Sequence, residues 1–297
     1  MSSEIISVII PSGRPDRVAQ TVRSLRTQNL PRESYEILVV TPDPAALLPE
    51  TAAVVRVVSA GRLFPPGRMR NLGAREAHGK LLVFLDDDCL APKNLLHDME
   101  RVLRTRQNVG AVGCRVIACD ATFWNRCADQ ALFTAYQAEK EGETAGLGSA
   151  ALAVRREAFE AVGGFDEQLL ASEDWDFSLK LRAGGWLCWF TPDIEVLHDH
   201  RRGNFLAILK SAWKYGQASG LTVQRRHRDA VSWVARMMLM AWKYRIYWLL
   251  MLPYSCFLTV VWLLEVRPGK QLPCLPVIFL ARLSYQLGVF NSLKKEV

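Results

Sequence analysis

The last 97 residues of this 297-residue chain contain only three acidic side chains, Asp229, Glu265 and Glu296. The same stretch has 15 Lys and Arg, so it carries +12, and since the whole chain is +7 the first 200 residues carry −5. A net-acidic body excludes a chain that wraps nucleic acid with its whole surface, and no nucleic-acid partner is expected. The sequence also lacks any CxxC pair, and its seven cysteines (89, 114, 119, 127, 188, 256 and 274) are odd in number. That excludes a disulfide framework or a clustered zinc site. Several of these cysteines sit in apolar runs, where they act as small hydrophobes. The start, MSSEIISVIIPSGRP, lacks the basic opening and long apolar run of a secretory signal, so the body is expected in the reducing cytoplasm. There is no internal repeat and no low-complexity tract, which excludes solenoids.

What is present is an alternation of strand and helix patterns, in a length that fits one large domain or one domain with an appendage. Residues 5–10 (IISVII) form a short apolar run stopped by Pro11, the pattern of a buried strand. Asp16 is placed to cap a helix with Val18, Val22 and Leu25 on one face. Strands are predicted over 35–40 (YEILVV), 54–58 and 81–85, with a helix over 69–77 between the last two. Pro92 opens a further helix through Leu95, Met99 and Val102. Such alternation gives a parallel sheet covered on both faces, with ligands at the carboxyl ends of its strands. Strands are predicted next over 109–117, 150–154, 186–190 and 194–197, and Ser172 is a candidate N-cap for a helix beginning EDWDFSLKLRAG.

Beyond about residue 203 the character changes. Residues 205–215 and 231–244 show helical apolar stripes studded with Lys and Arg. Residues 246–264, IYWLLMLPYSCFLTVVWLL, contain no formal charge. At 1.5 Å per residue this run is roughly 28 Å long, close to the hydrocarbon thickness of a bilayer. A second apolar stretch, 272–290, is interrupted only by Arg282. The pattern predicts a body over 1–220 and a basic, membrane-anchoring helical region over 221–297. Basic residues before Ile246 and at Lys294 and Lys295 place both ends of the apolar hairpin on the cytoplasmic side of a cytoplasmic or inner membrane.

The chemistry is concentrated in acidic pairs. In LLVFLDDDCLAP (81–92) a five-residue apolar run drives straight into Asp86, Asp87 and Asp88. Adjacent carboxylates repel, so the triplet is either a solvated loop or a cation site at a strand end. If extended, Asp86 and Asp88 share a face and offer hard oxygens suited to Mg²⁺ or Mn²⁺, with Asp87 turned elsewhere. Glu173 and Asp174 open a helix, where the dipole favours ionised carboxylates. His198 ends a strand, two residues before His200.

Taken in order, SVIIPSGRPDR (7–17), YEILVV (35–40), RNLGAREAHGKLLVFLDDDC (70–89), GSAALAVRREAFEAVGGFDEQL (148–169), SEDWDFSLKLRAGG (172–185) and VLHDH (196–200) resemble the family 2 glycosyltransferases with a GT-A fold. The resemblance implies an α/β fold, a Rossmann-like and mostly parallel sheet flanked by helices, followed here by C-terminal amphipathic and transmembrane helices. It implies that Asp86 and Asp88 are the outer residues of a DxD motif. Asp88 would then ligate Mn²⁺ or Mg²⁺, Asp86 would hold the ribose and the ion's waters, and His198 would complete the metal site. By the same likeness Asp174 is the catalytic base and Glu173 positions acceptor or sugar. Pro11, Ser12 and Arg14 border the nucleotide base, Arg70 and Asn71 lie near base and phosphates, and Asp87 belongs to the nucleotide-sugar site.

Two departures stand out. The family's acidic residue after the second strand, which reads the base, is replaced by VVTPDP, so either Asp43 takes its place in the nucleotide-sugar site in a shifted register or the base is read differently, and the first loop is one residue shorter than PTYNRPDR. A processive QxxRW motif is absent, so transfer of a single sugar is expected. The expected reaction is metal-dependent, inverting transfer from a nucleotide-diphosphate sugar to a hydroxyl of a membrane-linked glycan or glycolipid. A polyprenyl-phosphate acceptor, or a non-catalytic membrane scaffold that keeps the fold, are the alternatives.

Overall fold

The computed structural model describes residues 5–14, 17–137, 140–219, 227, 236–238, 241, 246–265 and 269–294. The polypeptide divides into two compact units. The first comprises 1–119, 140–169 and 173–199, and the second 120–139, 170–172 and 200–297. The boundary expected at 220/221, the cap expected of Asp16 and nearly all of the stripe at 231–244 lie outside the described residues.

The first unit is built on one nine-stranded sheet. Its strands are β1 (Ile6–Pro11), β2 (Tyr35–Thr41), β3 (Arg56–Ser59), β4 (Leu81–Leu85), β5 (Cys89–Leu90), β6 (Val109–Ala118), β7 (Gly142–Glu143), β8 (Ala151–Arg155) and β9 (Leu187–His198). The order is β3-β2-β1-β4-β8-β6-β9-β5, with β7 on β9. From β3 to β4 every pairing is parallel, and the inner strands β1, β2 and β4 are rich in buried Val, Ile and Leu because both faces are covered. Beyond β4 the sheet is mixed: β8 runs antiparallel to both β4 and β6, while β6 and β9 are parallel. The expectation of a mostly parallel sheet therefore holds for one half only. The two strands expected over 186–197 are one strand, β9, whose register jumps from Cys114↔Thr191 to Arg115↔Glu195. The extra residues at Pro192 form a bulge that breaks the apolar pattern but not the strand.

Helices α1 (Val18–Leu25), α2 (Pro49–Ala52), α3 (Pro66–Glu76) and α4 (Leu95–Thr105) follow β1, β2, β3 and β5. The α1 face is Val18, Thr21, Val22 and Leu25, all buried. Phe84 on β4 packs with Phe159 and Phe165, and Phe177 closes the cluster 4.5 Å from Phe165. Full burial of each such ring contributes about 1.5–3 kcal/mol. Two consecutive arginines lock the frame through backbone carbonyls. Arg155 donates to those of Val109 and Leu103, and Arg156 to those of Ala74, Ala77 and Gly79.

The second unit is helical. It holds α5 (Phe123–Leu132), α8 (Phe205–Ser219), α9 (Tyr247–Glu265) and α10 (Leu275–Lys294), whereas α6 (Arg156–Ala161) and α7 (Glu173–Ala183) belong to the first. Helix α5 has no counterpart among the elements expected from sequence. Its signal is Thr122, whose Oγ1 accepts from the Asn125 N–H at 3.2 Å as an N-cap. Helices α8 and α10 cross at backbone contact: a Cβ on Gly216 would lie 2.1 Å from the Tyr285 carbonyl oxygen, and one on Gly288 2.2 Å from that of Trp213. By length and composition α9 and α10 are both able to cross a membrane.

Candidate active site

The site forms at the carboxyl ends of β1 and β4, as parallel sheet topology dictates. The triplet after β4 is not extended. The Cys89 N–H donates to the Asp86 carbonyl at 3.1 Å and closes a turn, so the Asp86 carboxylate points away while those of Asp87 and Asp88 converge on Arg14. This overturns the shared face expected for Asp86 and Asp88. Asp86 turns to Arg70, whose Nη2 lies 2.7 Å from Oδ1. Asp87 turns toward the loop after β1, accepting from Ser12 Oγ at 2.8 Å and from Arg14 Nη2 at 2.9 Å. Asp88 takes the same Arg14 nitrogen at 3.0 Å, and its Oδ1 lies 3.1 Å from His198 Nε2.

These partners set the charges. Burial raises the Asp87 carboxyl above its ordinary value, against the opposing pull of Arg14 and Ser12. Burial also acts on Asp88, but there the hydrogen bond and charge of His198, with Arg14, win and hold the carboxyl below its usual range. His198 reaches Asp88 because β5 pairs antiparallel with β9, placing Cys89 opposite His198. Among the described residues Asp88, Cys89 and His198 bring ligand atoms within 4.8 Å of one another. Burial pushes the Cys89 thiol well up, so it stays protonated and is a poor ligand for a hard cation. A carboxylate oxygen beside an imidazole nitrogen fits Mn²⁺ or Mg²⁺, so Asp88 and His198 are the residues able to hold one.

The second acidic pair is joined to the first through Arg70. This arginine is buried at 4% side-chain exposure on α3 and bridges Asp86 and Glu173, each at 2.7 Å. Asp174 is half-buried. Its Oδ1 accepts from the Trp175 N–H at 2.8 Å and its Oδ2 from the Ser149 N–H at 3.3 Å. Burial, then the negative charge of Glu173, pushes its carboxyl up to about 7, against opposing contributions from these N–H groups and Arg70. A carboxylate near neutrality is matched to proton transfer. Ser172, expected to cap α7, has φ 60° and so lies in the left-handed region rather than the extended backbone of an N-cap.

Other expected residues take different places. Pro11 ends β1, and the next residue's N–H, that of Ser12, donates to the Val40 carbonyl. Asn71 is buried, and its amide is spent on the turn at 165–167. It donates to the Phe165 carbonyl and to Glu167, and accepts from the Phe165 N–H. It holds that turn. Asp43 begins a short turn after β2, its N–H donating to Thr41 Oγ1 at 3.3 Å, and its carboxylate is exposed. Two contacts had no sequence signal: Thr21 Oγ1 donates to the Asp87 carbonyl, and the Ser149 main chain reaches Asp174.

Against known proteins, the family described as glycosyltransferase like family 2 matches residues 4–216. The O-antigen biosynthesis protein RfbC of Myxococcus xanthus is 28% identical over 221 residues, covering 65% of this chain and 17% of that protein. The N-acetylglucosaminyl-diphospho-decaprenol L-rhamnosyltransferase of Mycobacterium tuberculosis is 43% identical over 70 residues, 22% of this chain and 23% of that protein. The matches thus span less than a quarter of these curated relatives. Among solved structures, the mannosyltransferase PcManGT of Pyrobaculum calidifontis, in complex with GDP-Man and Mn²⁺, superimposes with a TM-score of 0.59 at 18% identity, covering 95% of this chain and 86% of that one. S. aureus TarS 1–349 in complex with UDP-GlcNAc gives a TM-score of 0.54 at 14% identity, over 98% and 91% of the two chains. These likenesses establish the fold.

Proposed function

The chain belongs to glycosyltransferase-like family 2, and on that premise we propose that it transfers a single sugar, with inversion, from a nucleotide-diphosphate sugar to a hydroxyl of a lipid-linked glycan or glycolipid. The observation that carries the reading is Asp174: a half-buried carboxylate near neutrality, fixed by two N–H donors and tied through Glu173, Arg70 and Asp86 to the triplet at the strand end. Asp174 takes the proton of the acceptor hydroxyl as its oxygen attacks the anomeric carbon from the face opposite the leaving group. Glu173, neutralised by Arg70, stays in place beside it. Ser12, Arg14 and Asp87 border the nucleotide. Asp88 and His198 would hold Mn²⁺ or Mg²⁺, which when bound offsets the charge on the departing diphosphate.

A membrane acceptor is supported by the second unit. Helix α9 turns Trp248, Leu249, Leu252, Phe257, Val260 and Leu264 outward, while Ser255 and Thr259 are buried. Apolar outside and polar inside is the arrangement lipid favours and water penalises. The relative whose name specifies a decaprenol-linked substrate points the same way. The basic residues flanking the hairpin support a catalytic unit on the cytoplasmic side of a cytoplasmic or inner membrane.

The test is nucleotide release by detergent-purified protein from UDP-, GDP- and dTDP-sugars with a membrane lipid extract, under Mn²⁺, Mg²⁺ or chelator. Release from one donor class, dependent on the cation, is expected, with Asp88→Asn losing it. Asp174→Asn lowers transfer about 10²–10⁴-fold if the acceptor is a hydroxyl. Substantial activity in that variant would instead indicate an acceptor already ionised, such as a lipid phosphate.

A further inference from the structure

The 144–150 segment, TAGLGSA, has no charged side chain, and its last five residues are all buried beside the site. One dipeptide in it reaches both acidic centres. The Ser149 N–H donates to Asp174 Oδ2 at 3.3 Å, and the Ala150 carbonyl accepts from the Asp86 N–H at 3.0 Å. The segment is held by α7, the helix that carries Asp174. Ser178, one turn on from Asp174 and 1% exposed, accepts from the Leu147 N–H at 3.0 Å and donates to the Asp174 carbonyl at 2.9 Å. The Trp175 ring occupies the space beside Gly146, where a Cβ would lie 2.2 Å from Cζ3. Any larger residue there has to displace the ring or the loop.

We propose that Ser178 and the Gly146–Trp175 contact are positioning elements for the transfer reaction: they hold the 146–150 loop so that the Ser149 N–H fixes the orientation of the Asp174 carboxylate. Neither touches substrate. The inference rests on Asp174 being the base. Its Oδ1 is bonded to the N–H of the very next residue, so among the described residues Ser149 is the hydrogen-bond donor that reaches it from outside α7. Among the described residues, the charged side chains that act on Asp174 are Glu173 on its own helix and Arg70 on α3. Both stay in place when Ser178 or Gly146 is changed.

Two variants of the full chain in detergent test this: Ser178→Ala, which removes the acceptor for the Leu147 N–H, and Gly146→Ala, which drives a methyl into the Trp175 ring. Donor affinity, read by nucleotide-sugar binding, serves as the control for folding. The expected result in each is a kcat about tenfold lower with donor KM changed less than about twofold, since a small misplacement near the reacting atoms is costly. The acid limb of the kcat/KM profile also moves to higher pH, because losing an N–H donor disfavours the ionised carboxylate. Wild-type kcat and an unmoved acid limb in both variants, with Asp174→Asn inactive, would overturn the positioning role and leave the base intact. Full transfer by Asp174→Asn would remove the base itself, and this role with it.

Discussion

Helices α4 and α9 are opposites. Along α4 the apolar side chains, Leu95, Leu96, Met99, Val102 and Leu103, are buried, and Arg101 and Arg104 face outward. Along α9 the outward face is Trp248, Leu249, Leu252, Phe257, Val260 and Leu264, while Ser255 and Thr259 turn inward. The inward polar groups of α9 are all neutral and all bonded. Tyr247 donates its hydroxyl to Gln286, Trp262 its indole N–H to Gln130 at 3.1 Å, and Ser255 and Thr259 donate to carbonyls one turn back. The body instead buries charge, in the Asp86–Arg70–Glu173 chain. The two helices thus sort polarity in opposite senses: α4 turns its charges outward and its apolar face in, while α9 turns an apolar face outward and keeps its neutral polar groups bonded inside.

The sharpest way to break this contrast is to place the same charge on each helix. Met99→Lys puts an ammonium with no partner into the core under the sheet and should prevent the body from folding, read as loss of soluble, donor-binding protein. Val260→Lys should leave the protein folded in detergent but weaken its flotation with liposomes, since a lysine at the centre of a spanning helix costs about 2.5–3.5 kcal/mol. Equal behaviour of the two variants would mean that α9 is an ordinary core helix.

Within the body, Arg70→Met tests the buried charge chain. It leaves Glu173 and Asp86 without their shared cation and should cost about 3–5 kcal/mol, seen as a lower denaturation midpoint. Smallest is Tyr247→Phe, which strips Gln286 of its buried partner and should cost about 1–3 kcal/mol. Adding Gln286→Leu should recover most of that loss, because two apolar groups need no bond.

Much of this was legible in the chain. Apolar runs ending at Pro11 and Asp86 located β1 and β4, and the residues bordering them became the site, because parallel strands gather their carboxyl ends at one edge. The direction of β8 was not legible, since an apolar run reads the same whichever way the strand lies. The triplet misled because alternation assumes extended backbone, and a turn closed from Cys89 to Asp86 sends Asp86 to Arg70 while Asp87 and Asp88 meet at Arg14. Arg70 was found as a site residue but not as a bridge, because its two carboxylate partners are 16 and 103 positions away. The hold of Asn71 on the 165–167 turn was not legible either, since a buried amide bonds whatever backbone the fold brings to it.

The most direct test of the account is the pH dependence of kcat/KM for transfer, measured on the wild-type chain and on Asp174→Asn. The base must be ionised to accept a proton, so activity should climb with pH, bend near the value of about 7 expected for Asp174 and level off above it. In Asp174→Asn the residual rate should be low and should lack that bend. A bend that survives in the variant, at undiminished rate, would contradict the assignment of Asp174 as the group that drives transfer.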